Sequence, residues 1–332
     1  MRSETAGSVP DAMYLECEAI ARNHGRTFYF ASRCLPRRQQ RAVLATYAYC
    51  RIADDIVDAA PERGAKECRQ SLDDWAAQLE TPTHPVALAF AESRERYGVP
   101  LTPVHDLITG MRMDLDIRRY QTWDELHTYC YRVAGTVGLM VAPILGCRNE
   151  SALAQAADLG IAMQLTNILR DVGEDASIGR LYLPLDDIAA FGCDAEAILA
   201  GEHGAKFREL MQFQVARARA LYAEAQLGIP SLDRYGRFTT LVASELYSRI
   251  LDCIEALDYD VFRTRAHCTT RQKFLALPGI SATFLRMSLF PPRPSTARLT
   301  VLPTTHPGEA IATKPISAIH ADPFQPERRT YG

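Results

Sequence analysis

The sequence predicts an all-α fold. From residue 12 to residue 289, apolar side chains recur at three- and four-residue spacing in stretches rich in Ala, Leu, Arg and Glu. Short breaks marked by proline or glycine separate these stretches, and alternating strand-like runs are nearly absent. No repeat of about 20–50 residues indicates a solenoid. Together these observations favour a single helical domain.

The prolines and glycines predict where the helices end. Proline lacks an amide hydrogen and glycine costs helix stability, so both are expected between helices. In chain order, the breaks are at Pro36, Pro61, residues 81–85, residues 98–103, Gly146, residues 228–230 and Pro278.

The chain of 332 residues divides into three predicted regions. Residues 1–11 are expected to be a disordered N-terminus, and residues 12–290 to be the folded domain. Residues 291–332 contain eight of the 19 prolines and show no apolar periodicity. This last region is therefore predicted to be an extended or disordered tail.

Composition excludes several classes of protein. The chain has 37 Lys and Arg against 40 Asp and Glu, and 47% of its residues are hydrophobic. It therefore resembles neither a basic nucleic-acid-binding protein nor an intrinsically disordered chain. Nine cysteines without a C-x-x-C pair and an N-terminus without an apolar signal region indicate a cytoplasmic protein. The eight histidines form no H-x-x-x-H or Cys/His cluster, so zinc is not indicated.

The first informative motif is an acidic face within residues 47–58. Tyr47, Arg51 and Asp58 fall within about 60° of Asp54 around a helix axis, so the four side chains share one face. Two carboxylates four residues apart repel each other and disfavour an isolated helix. Taken alone, such a pair is most often a solvated surface feature.

A second acidic face lies within residues 160–175. Gln164, Asn167, Asp171 and Asp175 form one polar stripe, beside a strongly apolar one. Neither acidic face carries a lysine, and a solvated outer face usually mixes Lys with Glu. Two such motifs together favour a common function over two surface pairs.

Two facing pairs of aspartates suit Mg²⁺. This ion typically takes one or two protein carboxylates and completes its octahedron with water and substrate phosphate. A diphosphate is therefore the implied substrate. The sequence has neither a G-x-x-x-x-G-K-[ST] loop nor a G-x-G-x-x-G turn, so nucleotide-binding folds of those types are not indicated.

Four motifs, two of which contain the acidic faces just described, resemble the squalene/phytoene synthase family. They are DDIVD at 54–58, GMRMDL at 110–115, YCYRVAGTVGLM at 129–140 and QLTNILRDVGEDASIGRLYLP at 164–184. The resemblance extends from HGRTFY at 24–29 to LYSRILDCIEALDYDVF at 246–262, which is nearly all of the chain before the tail. Within the family, the motifs are most similar to those of phytoene synthases.

This resemblance implies a single isoprenoid-synthase helical bundle, in which two aspartate-rich helices face each other across a central cavity. It implies the head-to-head condensation of two geranylgeranyl diphosphates to 15-cis-phytoene, through prephytoene diphosphate, in carotenoid biosynthesis. Asp54, Asp58, Asp171 and Asp175 would be the catalytic residues and, together with Asn167, would hold Mg²⁺ or Mn²⁺. No NADPH is expected.

The same chemistry assigns roles to other residues. Cations and hydrogen-bond donors would bind the diphosphates, and closely packed apolar walls would keep water from a carbocation. The candidates for diphosphate binding are Arg51, Arg170, Arg180, Arg265, Tyr47, Tyr182, Tyr247 and Gln164. The candidates for the walls are Phe28, Val133, Val137, Leu139, Leu165 and Ile168.

Several of these assignments have alternatives. Arg51 could simply pair with Asp55 four residues later, and Arg170 could also be an intrahelical partner. Small residues at Gly135, Gly138 and Gly160 would admit either substrate or a neighbouring helix.

The function also has alternatives. A related enzyme could make a C30 product from two farnesyl diphosphates, namely dehydrosqualene, presqualene diphosphate or hydroxysqualene. A non-catalytic assembly subunit is a second alternative, which the intact aspartates disfavour. Because a C40 hydrocarbon is insoluble in water, the sequence analysis also predicts peripheral membrane contact and handover of the product to a phytoene desaturase. No nucleic-acid partner is expected.

Overall fold

The computed structural model describes residues 11–147, 149–267 and 269–289, and its regular elements there are helical. No β-strand occurs in these ranges; a single isolated bridge joins Arg119 to Leu181. The all-α prediction is thus confirmed. Apart from Asp11, which begins the first helix, the predicted disordered regions 1–11 and 291–332 lie outside the described residues.

The described residues form fifteen α-helices and two short segments of other helical types. They are α1 (Asp11–His24), α2 (Arg26–Ser32), α3 (Arg37–Asp58), α4 (Ala60–Arg63), α5 (Ala65–Ala77), α6 (Pro85–Tyr97), α7 (Thr102–Asp116), α8 (Trp123–Cys130), a π-helix (Tyr131–Gly135), α9 (Thr136–Ile144), α10 (Glu150–Ser177), α11 (Leu185–Ala190), α12 (Ala195–Leu199), α13 (Ala205–Gln226), a 3₁₀-helix (Ile229–Ser231), α14 (Arg234–Ala256) and α15 (Thr270–Leu289).

Local sequence signals explain several helix ends. Gly98 adopts a left-handed φ of 68° and ends α6, a conformation that glycine adopts without steric cost. Thr122 and Glu125 form a capping box at the start of α8. The carboxylate of Asp233 accepts a 2.7 Å hydrogen bond from the amide of Gly236 and so caps α14.

Most predicted breaks lie between helices, but the one at Pro278 is wrong. Pro278 lies inside α15, which continues without interruption from Thr270 to Leu289. The residue is exposed. The helical carbonyl that loses its amide donor there is on the solvent side, so water can replace the missing hydrogen bond.

Three apolar clusters form the core. The first contains residues of α1, α3, α5, α6, α7 and α9. The second contains residues of α8, α10, α11, α12, α13 and α14. The third, smaller cluster joins α2, the 3₁₀-helix, α14 and α15. Helix α3 shows how the sequence builds such clusters, because its buried residues Ala42, Thr46, Tyr49, Ala53 and Val57 recur at three- and four-residue spacing.

Helix α10 crosses α9 and the preceding π-helix with their backbones in contact. A Cβ atom added to Gly138 would lie 2.0 Å from the carbonyl oxygen of Ala156, and one added to Gly160 would lie 2.2 Å from that of Ala134. No side chain fits at these distances. The neighbouring helix therefore explains both glycines, although each also borders the cavity described below.

A fully buried ion pair fixes α11 to α13. Nη1 of Arg217 donates to Oδ2 of Asp187 at 2.6 Å and to Oε1 of Gln214 at 2.9 Å, and the side chains of Arg217 and Asp187 are each 1% exposed. The guanidinium lies over the rings of Trp123, at 4.4 Å, and Phe213, at 4.6 Å. The pair thereby anchors the segment 180–184, which immediately precedes α11.

None of the helices formed by the described residues is long and apolar enough to cross a membrane.

Substituting Gly160→Ala is expected to destabilise the protein. The added methyl group must push the π-helix backbone at Ala134 away, at a cost of about 1–3 kcal/mol, and alanine's helix propensity returns at most about 1 kcal/mol of it. Chemical denaturation followed by circular dichroism measures the change.

Gly279→Ala on α15 is the matched control, because nothing lies within 4 Å of a Cβ at that position. This variant should keep or raise the free energy of unfolding, by up to about 1 kcal/mol. Equal effects of the two substitutions would contradict the close helix crossing.

Candidate active site

The last two turns of α3 carry the first acidic pair, with Arg51 in their midst. Nη1 of Arg51 lies 2.7 Å from Oδ2 of Asp54, its Nε donates to Oδ1 of Asp55 at 2.8 Å, and Nη2 lies 3.4 Å from Oδ2 of Asp58. The intrahelical pairing of Arg51 with Asp55 is therefore present. Arg51 also contacts both predicted metal ligands of this helix.

One guanidinium does not balance these carboxylates. Desolvation by the surrounding protein, together with repulsion from Asp58, raises the pKa of Asp54 to about 7, although 39% of its side chain is still exposed. Desolvation also raises the pKa of Asp58, while Arg51 and Arg180 oppose the rise. The pair is thus short of positive charge.

The second acidic pair lies near the end of α10 and has more cationic partners. Arg170 donates to both carboxylate oxygens of Asp171, at 2.7 and 2.5 Å, and Arg265 does so at 2.9 and 3.0 Å. Although burial opposes it, these bonds hold the pKa of Asp171 below its usual value. Asp175 lacks such bonds, and burial together with Asp171 raises its pKa to about 7.

A buried cluster on α7 and the segment 180–184 lies between the two pairs. Tyr129 and Tyr182 each donate a 2.9 Å hydrogen bond to the carboxylate of Asp114, and Nη2 of Arg180 donates to its backbone oxygen at 3.0 Å. Burial raises the pKa of Asp114.

The same cluster connects the two acidic pairs electrostatically. Arg180 counteracts the raised pKa of Asp58 on α3 and of Asp175 on α10. Asp114, in turn, contributes to the raised pKa of both Asp54 and Asp175. The acidic faces of α3 and α10 therefore lie near the same two residues, Asp114 and Arg180.

An apolar cavity of about 260 Å³ begins beside this charged region. Its wall comes mainly from α2, α3, α9, α10 and α14. Tyr47 lies one helical turn before Arg51, and Asn167 one turn before Asp171, so these cavity residues adjoin the acidic pairs. The ring of Phe28 stacks on that of Tyr47 with a centroid distance of 4.9 Å.

The residues at the cavity mouth fit a hard divalent cation. Oδ1 of Asn167 is buried without a hydrogen-bond donor among the described residues. Desolvation and a neighbouring carboxylate raise the pKa of both Asp54 and Asp175 to about 7, so added positive charge would be stabilised there. Carboxylate and amide oxygens are the ligands that Mg²⁺ prefers.

Within the described ranges, no three His, Cys, Asp or Glu side chains converge on one point that could hold a metal ion. A cation bound here would therefore need water and substrate oxygens to complete its coordination. Mg²⁺ commonly does this, whereas a closed structural zinc site does not.

The structure divides the predicted substrate residues into two groups. Phe28, Tyr47, Val137, Gln164, Asn167 and Tyr247 line the cavity. Arg51, Arg170, Arg180, Tyr182 and Arg265 instead surround the carboxylates.

Four of the predicted wall residues do not line this cavity. Val133, Leu139, Leu165 and Ile168 are not among the cavity-lining residues. Leu165 and Ile168 are buried in the second core cluster, because their side of α10 faces α13. The apolar stripe of α10 thus packs the core, and its small and polar stripe faces the cavity.

Sequence reasoning gave no role to Asp114 or Tyr129, although both lie within motifs that it quoted. The available signal was an aspartate on the apolar face of α7, where Leu107, Gly110 and Met111 precede it by seven, four and three residues. Asp114 is 6% exposed, and a carboxylate is seldom buried that deeply unless it is paired.

Comparisons with known proteins agree with this geometry. The family model described as squalene/phytoene synthase matches residues 21–272. A phytoene synthase from Arthrospira platensis is 42% identical over 283 residues, which are 80% of this chain and 91% of the relative. A 15-cis-phytoene synthase from Synechocystis sp. is 39% identical over 293 residues, covering 83% of this chain and 86% of the relative.

The crystal structure of a dehydrosqualene synthase in complex with a ligand superposes with a TM-score of 0.76 at 31% identity, and the match covers 83% of this chain and 97% of that one. The helical bundle is therefore that of an isoprenoid synthase, and the chain belongs to the squalene/phytoene synthase family.

Proposed function

We propose that this chain is a 15-cis-phytoene synthase, a prenyltransferase that condenses two geranylgeranyl diphosphates head to head. Phytoene synthases about 40% identical over most of the chain support this reaction. The structural observation that supports it is an apolar cavity lined by Tyr47 and Asn167, each one helical turn before an acidic pair. Such a site binds a diphosphate through cations and an aliphatic chain through apolar contact.

Asp54, Asp58, Asn167, Asp171 and Asp175 are the proposed ligands of Mg²⁺, or of Mn²⁺ in its place. When bound, the metal would neutralise the diphosphate charge that grows as the allylic C–O bond ionises. The buried, unpartnered oxygen of Asn167 and the raised pKa values of Asp54 and Asp175 support this assignment.

The arginines around the carboxylates are the proposed diphosphate ligands. Arg51 and Arg265 are bound to carboxylates in the structure, and cations on these carboxylates would free their guanidinium groups for phosphate oxygens. Arg170 and Arg180 are more buried and would hold their positions. The hydroxyl of Tyr182 already donates to Asp114, so its proposed role is to orient that carboxylate.

The cavity would protect the cationic intermediates. Its apolar lining excludes water, and the stacked rings of Phe28 and Tyr47 offer π-faces that attract a carbocation. The double bond of the second prenyl chain attacks the allylic cation, and loss of a proton gives the cyclopropyl compound prephytoene diphosphate. A second ionisation, rearrangement and proton loss give phytoene. Since no carbon is reduced, no NADPH is needed.

The product is a C40 hydrocarbon, which burial in lipid stabilises relative to water. We therefore propose that the protein associates peripherally with a membrane and passes its product to a phytoene desaturase. A cytoplasmic location remains a prediction from the sequence.

A C30 synthase acting on farnesyl diphosphate is the second candidate. The structural match to a dehydrosqualene synthase favours it, but identity to that protein is 31%, against 42% to the phytoene synthase from Arthrospira platensis. A non-catalytic subunit is disfavoured, because both acidic pairs are intact and adjoin the same cavity.

Asp54→Asn and Asp171→Asn are each expected to lower turnover by about 10²–10³-fold or more, because each removes charge that holds the cation against the leaving group. Conversion of labelled geranylgeranyl diphosphate measures the loss. Circular dichroism should be unchanged.

Asp73→Asn is the matched control, since Asp73 forms an exposed ion pair with Arg112 away from the site. It should keep wild-type turnover. Full activity in Asp54→Asn would contradict the proposed metal ligands.

Chelation of divalent cations is expected to abolish turnover reversibly, and Mg²⁺ added with inorganic diphosphate should raise the melting temperature of the wild-type protein. The Asp54→Asn/Asp171→Asn double variant should lose this thermal shift. A shift of equal size in both proteins would place the cation elsewhere.

Geranylgeranyl diphosphate is expected to be the preferred substrate. The measurement is kcat/KM for pure enzyme with Mg²⁺ and either geranylgeranyl or farnesyl diphosphate, with the products extracted and identified by mass. Phytoene should dominate without NADPH. A C30 product together with no phytoene would support the dehydrosqualene-type alternative.

A further inference from the structure

Helix α15 has apolar residues on two opposite faces. Ala276 and Ile280 belong to the third core cluster and are 2% and 4% exposed. Phe274, Leu275, Leu285 and Leu289 point away from the core and are 57%, 78%, 58% and 63% exposed. At 100° per residue, these four side chains fall within a sector of about 100°, here called the α15 stripe.

The α15 stripe differs from an ordinary scatter of exposed apolar residues. Pro278 and Ala282 lie within the same sector and are also exposed, so the stripe is continuous along the helix. Single exposed leucines need no explanation, but a contiguous apolar patch on a protein surface marks an interaction site.

The charged residues of α15 itself all have one sign. Thr270–Leu289 contains three Lys and Arg and no Asp or Glu. Arg271 lies about one turn before Phe274 and Leu275 within the same sector, Arg286 lies about 20° outside the sector, and both are exposed. An apolar helix face bordered by basic residues is the pattern of helices that lie in the interface of an anionic bilayer.

The inner face of α15 adjoins the wall of the cavity. Ala31 and Ile229 line the cavity and also belong to the apolar cluster that contains Ala276 and Ile280. Phe274 itself contacts the ring of Phe30 on α2 edge to face, at a centroid distance of 5.8 Å. Helix α15 therefore lies between the hydrocarbon end of the cavity and the outside.

We propose that the α15 stripe is the surface through which this protein docks on an anionic lipid membrane. The inference rests on the proposed function in one respect, namely that a C40 hydrocarbon product needs a lipid destination. The docking surface itself is argued from the exposure and charge of α15.

Two other occupants are less compatible with the charges. Residues 290–332 carry five Lys and Arg against three Asp and Glu, so this segment has the same sign as the region it would cover, and its prolines disfavour a packed helix. A second copy of the chain would bring Arg271 and Arg286 against their own counterparts. An anionic lipid surface has the complementary charge.

Flotation with vesicles tests the proposal on the full chain. Wild-type protein should float with phosphatidylcholine vesicles that contain phosphatidylglycerol, and binding should weaken in high salt or without the anionic lipid. Leu275→Gln/Leu285→Gln should lower the bound-to-free ratio by about tenfold or more. Leu15→Gln/Leu227→Gln is the matched control, because these leucines are exposed elsewhere, and it should bind like the wild type.

A tryptophan at the stripe identifies the occupant. In Leu285→Trp, brominated phosphatidylcholine within the anionic vesicles should quench the added fluorescence, with the wild type as the blank for Trp75 and Trp123. Emission that is already blue-shifted before vesicles are added, and is not quenched by them, would assign the stripe to the chain's own segment 290–332 or to a second copy. That result would overturn the proposal, as would equal flotation of the Leu275→Gln/Leu285→Gln variant and the wild type.

The docking surface and the proposed function can fail separately. Phytoene formation is measured in detergent, where the Leu275→Gln/Leu285→Gln variant should keep wild-type turnover because the stripe lies outside the active site. If the wild type makes no phytoene but floats better than the Leu275→Gln/Leu285→Gln variant, the proposed function is refuted and the docking surface is supported. If the wild type makes phytoene but floats no better than that variant, only the docking surface is refuted.

Discussion

The crowding of carboxylates at one end of an apolar cavity is the constraint on which the rest of the structure depends. Asp54, Asp58 and Asp175 come from two helices and each lies near Asp114, and Asp171 lies one helical turn before Asp175. Like charges in a partly desolvated region repel strongly unless cations or hydrogen bonds compensate them. The chain compensates part of this charge with arginines and leaves the remainder, which the raised pKa values of Asp54 and Asp175 report.

The compensation differs between the two helices. Asp171 has two guanidinium partners that each contact both of its oxygens, so it remains ionised. On α3, by contrast, Arg51 is shared among three carboxylates. Added positive charge would therefore be stabilised most at Asp54, Asp58 and Asp175, where the existing cations do least. A substrate that brings both phosphate and metal supplies charge of both signs to such a site.

The gradient from apolar cavity to charged mouth is built into single helices. On α3 and α10, residues on one face change from apolar or small, through tyrosine and amide, to aspartate as the chain advances. The series on α3 is Val43, Tyr47, Arg51, Asp54 and Asp58, and that on α10 is Ala156, Gly160, Gln164, Asn167, Asp171 and Asp175. Helical periodicity alone aligns each series. The crossing at Gly138 and Gly160 then sets how closely α10 approaches α9.

This periodicity explains what the sequence could predict. The helical class and the composition of each acidic face depend on spacing along one helix, and both were predicted correctly. Which neighbour a face meets depends on packing between helices, so Leu165 and Ile168 were wrongly assigned to the cavity rather than to α13. The role of Asp114 was missed for the same reason, because its partners Tyr129 and Tyr182 are 15 and 68 residues away. The helix end predicted at Pro278 was wrong, because the rule that proline ends a helix takes no account of whether water can bond to the carbonyl that loses its amide donor.

The two ends of the cavity suit two different molecules. A hydrocarbon leaving through the acidic mouth would strip water from ionised groups and offer them no hydrogen bonds, which is unfavourable. The wall toward α2 and α14 presents Ala31, Ile229 and Ala243 instead, and α15 covers it from outside, packing mainly against α14. The fold thus places the carboxylates next to Tyr47 and Asn167 and places a largely apolar wall beneath α15.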